Sequence, residues 1–225
     1  MEAVEMSESK AVYVILSSTN CNIGRIIRSI TRYEYNHVSI ALTPDLDRLY
    51  SFARYRKNAP FYAGFVQESG KRYVQGGKPA NIKMFEIPVS DEKYHEIAGR
   101  LEEMSDNKRE YIYNLISAMC VPLRRRVKAR NSFTCIEFSV AMLANYCDSL
   151  EIDGNRFWSI RALQDRLADY LVYEGPYMQK EKTEDWGDDV FLENVNFFID
   201  IKDTVALNGR LFWRLVQRRM HREAN

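Results

Sequence analysis

No stretch of 18 uninterrupted apolar residues occurs in the chain, so the sequence carries no transmembrane helix. A secretory signal is not expected either, because residues 1–10 carry three glutamates where a basic start and an apolar centre belong. Charge of a single sign is lacking. Thirty-two basic residues nearly cancel 31 acidic ones, and no global field draws the molecule to nucleic acid or an anionic surface. No RNP or OB pattern occurs, which argues against a nucleic-acid reader. The four cysteines, Cys21, Cys120, Cys135 and Cys147, lack metal-pair spacing. No ligand set suits a metal, the acidic stretch near Asp188 has no EF-hand pattern, and no cofactor is expected. Scarce, scattered cysteines suit a reduced, cytoplasmic setting.

Internal repeats, low-complexity tracts and obvious linkers are missing as well. A chain of 225 residues with 46% hydrophobic content can bury one core without disulfides or metal. The economical organisation is a flexible N-terminal stretch (1–10), a core (11–150) and a C-terminal elaboration of the same domain (151–225).

Apolar patterning predicts a strand over 11–16, then a helix over 23–31 with Ile23, Ile26, Ile27 and Ile30 at helical spacing. Residues 36–42 and 48–52 read as a hairpin, in which alternation sets His37, Ser39 and Ala41 on one face and Val38, Ile40 and Leu42 on the other. His37 is thereby expected off the apolar face. Residues 54–77, rich in Tyr, Phe, Gly and Lys, read as a long ordered loop with room for a short strand. A strand over 81–88, a capped helix from 90 to 104 and helices over 111–119, 134–146, 159–171 and 206–221 complete the pattern.

Two residues bear chemistry. Cys135 falls in the first turn of the predicted 134–146 helix, with Ser132 and Thr134 available as caps, and the helix dipole there favours an anion at the sulfur. A thiol becomes a strong nucleophile when an imidazolium or a helix N-terminus stabilises its thiolate, and His37 supplies the imidazole. By itself a cysteine in such a turn is most often a small core residue. His95 and His221 sit among charges on helix surfaces; Cys21, Cys120 and Cys147 read as incidental or core thiols. The basic run Arg124 to Arg130 reads as solvated surface, with the acidic stretch near Asp188 as solvated surface or its partner. The Arg-rich C-terminal helix is expected to dock on the protein's own core, membrane contact being the less favoured alternative.

The order strand, helix, histidine strand, hairpin, insert, cysteine helix resembles the circularly permuted branch of the NlpC/P60 superfamily of papain-like thiol hydrolases. The stretches that carry the likeness are YNHVSIAL (35–42), LYSFARY (49–55), AGFVQES (63–69), YIYNLI (111–116) and FTCIEFSVAML (133–143). The resemblance implies an α+β fold, an antiparallel sheet packed on helices, with Cys135 as nucleophile and His37 as general base. It also implies a polar residue on the next strand that orients the imidazole, a place Ser51 occupies 14 positions past His37. Asn36, Thr134 and Arg54, beside these residues, are the expected substrate-binding positions. The implied activity is cleavage of an amide or ester bond in a small peptide, amide or acyl-ester substrate. A serine in place of a carboxylate would weaken the imidazolium, which motivates the alternative of a weakly active or inactive binding module. Nothing in the sequence specifies an oligomeric state.

Overall fold

The computed structural model describes residues 10–19, 22–46, 48–75, 77–178, 188, 191, 193 and 195–223. The N-terminal stretch through residue 9, Cys21 and most of the acidic stretch (179–187, 189 and 190) lie outside them.

The fold is α+β. In chain order come β1 (Lys10–Ser18), α1 (Asn22–Thr31), β2 (His37–Ala41), β3 (Leu49–Arg54), β4 (Ala63–Glu68), the short pair β5 (Val74–Gln75) and β6 (Lys78–Pro79), and β7 (Asn81–Val89). Then follow α2 (Asp91–Asp106), β8 (Ile112–Tyr113), α3 (Leu115–Met119), β9 (Ser132–Phe133), α4 (Cys135–Tyr146), α5 (Ile160–Arg166), β10 (Leu171–Pro176) and α6 (Phe197–Glu223). Eight strands form one sheet in the order β10-β7-β1-β2-β3-β4-β8-β9. All neighbours pair antiparallel except β8 and β9, which run parallel, so the sheet is mixed rather than antiparallel throughout.

The sheet is covered on both faces. On one side Val12, Val14, Leu16, Val38, Ile40 and Phe52 pack against apolar residues of α2, α4 and α5. On the other, Tyr13, Ile15, Ala41, Leu49 and Ile82 lie under Tyr73 and Tyr177, whose rings stack at 5.1 Å. Every residue of β2 is therefore buried, and the face assigned to His37 and Ser39 is a second interior rather than a wet surface.

Several sequence expectations are redrawn. The 54–77 segment contains a six-residue strand, β4, paired along its length with β3. The 111–119 segment opens as a strand before its one short helix, and the 159–171 helix ends at Arg166. β10 has no counterpart in the sequence pattern, and it adds the C-terminal third to the sheet edge beside β7. Alternation there is masked by Gly175 and Pro176. α6 starts nine residues earlier than its basic tail implied, because Phe197 to Val205 lack the arginines that mark the rest. Among the described residues no helix is long and apolar enough to cross a membrane.

Candidate active site

Cys135 is the first residue of α4, and the local sequence fixes it there. Thr134 and Glu137 form a capping box: the Thr134 hydroxyl accepts from the Glu137 N–H at 3.3 Å, and the Glu137 carboxylate accepts from the Thr134 N–H at 2.8 Å. The Phe138 N–H bonds the Thr134 carbonyl. The N–H groups of Cys135 and Ile136 meet no partner among the described residues, leaving two donors beside the sulfur. Ser132, the other expected cap, donates instead to the Arg130 carbonyl from β9.

Aromatic packing holds this turn on the sheet. Phe138 lies 5.4 Å from Phe52 and 5.6 Å from Phe65, while Phe133, just before the cap, lies 5.4 Å from Phe52.

His37 opens β2, and its placement starts in the preceding loop. The Asn36 amide donates to Thr19 at 2.7 Å and accepts from Arg28 at 2.8 Å, pinning the chain against α1. A Cβ at Gly24 would lie 2.6 Å from the Thr19 carbonyl oxygen and 2.7 Å from the Asn36 amide nitrogen, so only glycine fits the approach.

The imidazole Nε2 lies 2.8 Å from Oε1 of Glu68, at the end of β4. The Cys135 sulfur lies close enough to the same ring to raise its basicity. With Nε2 held by the carboxylate, Nδ1 is the nitrogen left for the thiol. Glu68 in turn accepts from Ser51, from Ser39 at 3.3 Å and from Tyr73 at 3.4 Å. The β2–β3 ladder covers only Ile40↔Tyr50 and Ala41↔Leu49, so side chains rather than backbone bonds join the strands where the carboxylate sits.

This corrects the role read for Ser51. It lies one strand nearer than Glu68 but touches the carboxylate, and the group against the imidazole is Glu68. Glu68 lies in the 54–77 segment, whose sequence has no clear period to mark a strand.

Electrostatics follow from this arrangement. Burial opposes charging of His37, yet the Glu68 carboxylate and the Cys135 sulfur together raise its pKa from 6.5 to about 10. Burial likewise opposes ionisation of Glu68, but His37, Arg72 and the Ser51 hydroxyl outweigh it and lower the pKa from 4.5 to about 2. At neutral pH the pair is imidazolium and carboxylate. Tyr113 of β8 is pushed well above its usual range, first by burial and then by the charges of Cys135 and Glu137. Its hydroxyl therefore stays protonated within electrostatic reach of the sulfur.

The site is nearly closed: Cys135 is 7% exposed, His37 9% and Glu68 3%. Behind Glu68, Arg72 makes a two-pronged contact with Asp188 at 2.6 and 2.7 Å, and Ser69 adds two more bonds to that carboxylate. Asp188 is thus a buried partner of Arg72, not solvated surface or a partner of the basic run.

The expected substrate-binding residues have structural duties. Asn36 is spent on Thr19 and Arg28, and Thr134 on the capping box. Arg54 donates to the Lys57 carbonyl at 2.7 Å and lies over the Phe191 ring. His95 is exposed beside Lys10 and Asp91, and Cys147 is buried in the core, its thiol pushed up to about 11 by burial and then Asp148. Cys120 is a free thiol at the end of α3. The side chain of His221 lies outside the described residues. Among the described residues no cluster of His, Cys, Asp or Glu could hold a metal.

No family model, curated protein or solved structure matches the chain.

Proposed function

We propose that the chain is a thiol hydrolase or acyltransferase of the permuted NlpC/P60, papain-like type, with Cys135 as nucleophile, His37 as base and Glu68 as the residue that orients and charges the imidazole. The observation that carries this reading is the His37–Glu68 pair, 2.8 Å apart, with the Cys135 sulfur on the first residue of a capped helix and acting on the same imidazole. An imidazolium and a helix N-terminus are the two groups that stabilise a thiolate.

In the reaction His37 holds the thiol proton while sulfur attacks an amide or ester carbonyl. The N–H groups of Cys135 and Ile136 are free to hold the resulting oxyanion. Collapse forms a thioester and expels the amine or alcohol, which takes its proton from His37. Water, or another acceptor, gives up a proton to His37 and releases the acyl group.

The test is alkylation by iodoacetamide across pH. Cys135 should keep reacting below pH 7, where an ordinary thiol, with a pKa of about 8.5, has lost most of its reactivity. Cys135→Ala should remove both that reaction and turnover of amide and ester substrates. A profile with an ordinary thiol midpoint would overturn the reading.

One observation favours a second reading, a binding module without turnover: the near-complete burial of Cys135 and His37. Ligand binding that ignores Cys135→Ala, with no substrate consumed, would select it.

A further inference from the structure

Helix α6 is mounted inside out. A surface helix ordinarily turns its apolar stripe to the protein and its charges to water. In α6 three arginines reach the body: Arg210 donates to the Arg109 carbonyl, Arg214 to those of Glu110 and Arg130, and Arg218 to that of Lys128. Toward its start, Asp200 and Asp203 pair with Arg56 at 2.8 and 2.9 Å. Leu211 is the one fully buried apolar side chain described in the helix. The outer face carries Phe198, Ile201, Val205, Phe212, Trp213 and Met220, which recur at helical steps along one side. Phe198 is 77% exposed, Phe212 66% and Trp213 59%.

Charge identifies what covers this stripe. The segment that α6 grips runs into 111–136, which holds no acidic residue and five basic ones, Arg124, Arg125, Arg126, Lys128 and Arg130. Residues 204–222 of the helix are likewise free of acid and carry five arginines. The ten cations of these two touching segments outnumber the carboxylates that meet them, Glu110 beside Arg210 and Arg214 and Glu137 beside Arg126. Leu123, Arg124, Arg125, Lys128 and Arg130 are exposed. Pairing two copies through this face would bring like-charged bodies together. An apolar stripe about 100° wide, flanked by cations, fits a membrane interface.

We infer that α6 and the 123–130 loop form a docking surface for an anionic lipid bilayer, with the aromatic stripe set into the headgroup region and the loop cations on the lipid charges. The helix lies on the bilayer rather than across it.

The test is sedimentation of the full chain with vesicles of phosphatidylcholine alone or with phosphatidylserine added, at physiological and high salt. Partition onto the anionic vesicles should exceed that onto neutral ones by about tenfold and fall with salt. Phe212→Ser with Trp213→Ser should lower it about tenfold while far-UV circular dichroism stays unchanged, since both side chains are exposed. Arg124→Glu with Arg125→Glu should abolish the preference for anionic lipid. Three results would overturn the inference: equal partition onto both vesicles, or none; a self-associated state that the Phe212/Trp213 substitutions dissolve while vesicles go unbound; or binding to an oligonucleotide that those substitutions leave untouched. None of these readouts depends on Cys135, so the docking surface and the thiol chemistry stand or fall separately.

Discussion

Glu68 concentrates the energetics of the site in one side chain. It is buried, ionised and bonded to His37, Ser39, Ser51 and Tyr73, and a buried ion pair that loses one member leaves a charge without compensation. Glu68→Gln keeps the shape and removes the charge. It is expected to cost about 3–5 kcal/mol in urea unfolding. The His37 ring should then titrate well below its native value, as followed by NMR of the imidazole protons. Ser51→Ala is a milder lesion. It removes one donor to the carboxylate while others remain, so about 1 kcal/mol is expected, with the imidazole still charged at neutral pH. If Ser51 itself oriented the ring, the two substitutions would affect the His37 titration alike.

At the scale of elements, the first turn of α4 joins a capping box to the Cys135 sulfur. The capping box occupies the Thr134 and Glu137 N–H groups and leaves those of Cys135 and Ile136 beside the sulfur. Thr134→Ala should cost about 1 kcal/mol. It should also slow alkylation of Cys135, because the turn that fixes the sulfur against His37 frays. A stability loss with an unchanged alkylation rate would separate the cap from the chemistry. The strands show why only part of the site was legible. Cys135 and His37 were readable because each sits in a segment with a strong local period, an apolar helix face and a β-branched strand. Glu68 was hidden because β4 is buried on both sides, so its sequence shows no clean alternation of polar and apolar residues. Its strand character comes from pairing with β3, a neighbour that local sequence does not reveal.

For the whole molecule, the His37–Glu68 pair predicts a stability profile in pH. Glu68 has a folded pKa below its unfolded one, so its contribution is present above about 4.5 and is lost as pH falls toward 2. His37 has a folded pKa above its unfolded one, so its contribution is complete below about 6.5 and is lost as pH rises through about 10. Thermal midpoints should peak between those windows, and Glu68→Gln should flatten both flanks. A variant whose midpoints track those of the wild type across both windows would show that the pair does not govern the profile.

The sequence by itself determined the stretches that become β1, β2, β7, α2 and α4, and with them the places of His37 on a strand and Cys135 in the first turn of a helix. These follow from local periodicity and caps, which act over a few residues and are written in adjacent positions. Only the tertiary structure decided that a glutamate 31 positions past the histidine supplies the charge, that Asp188 belongs to a buried pair with Arg72, and that the C-terminal helix turns Arg210, Arg214 and Arg218 onto the body. Each of these rests on contacts between distant segments. A carboxylate's partner is chosen by sheet register and a helix's inner face by the carbonyls it meets, and neither is a property of the chain near that residue.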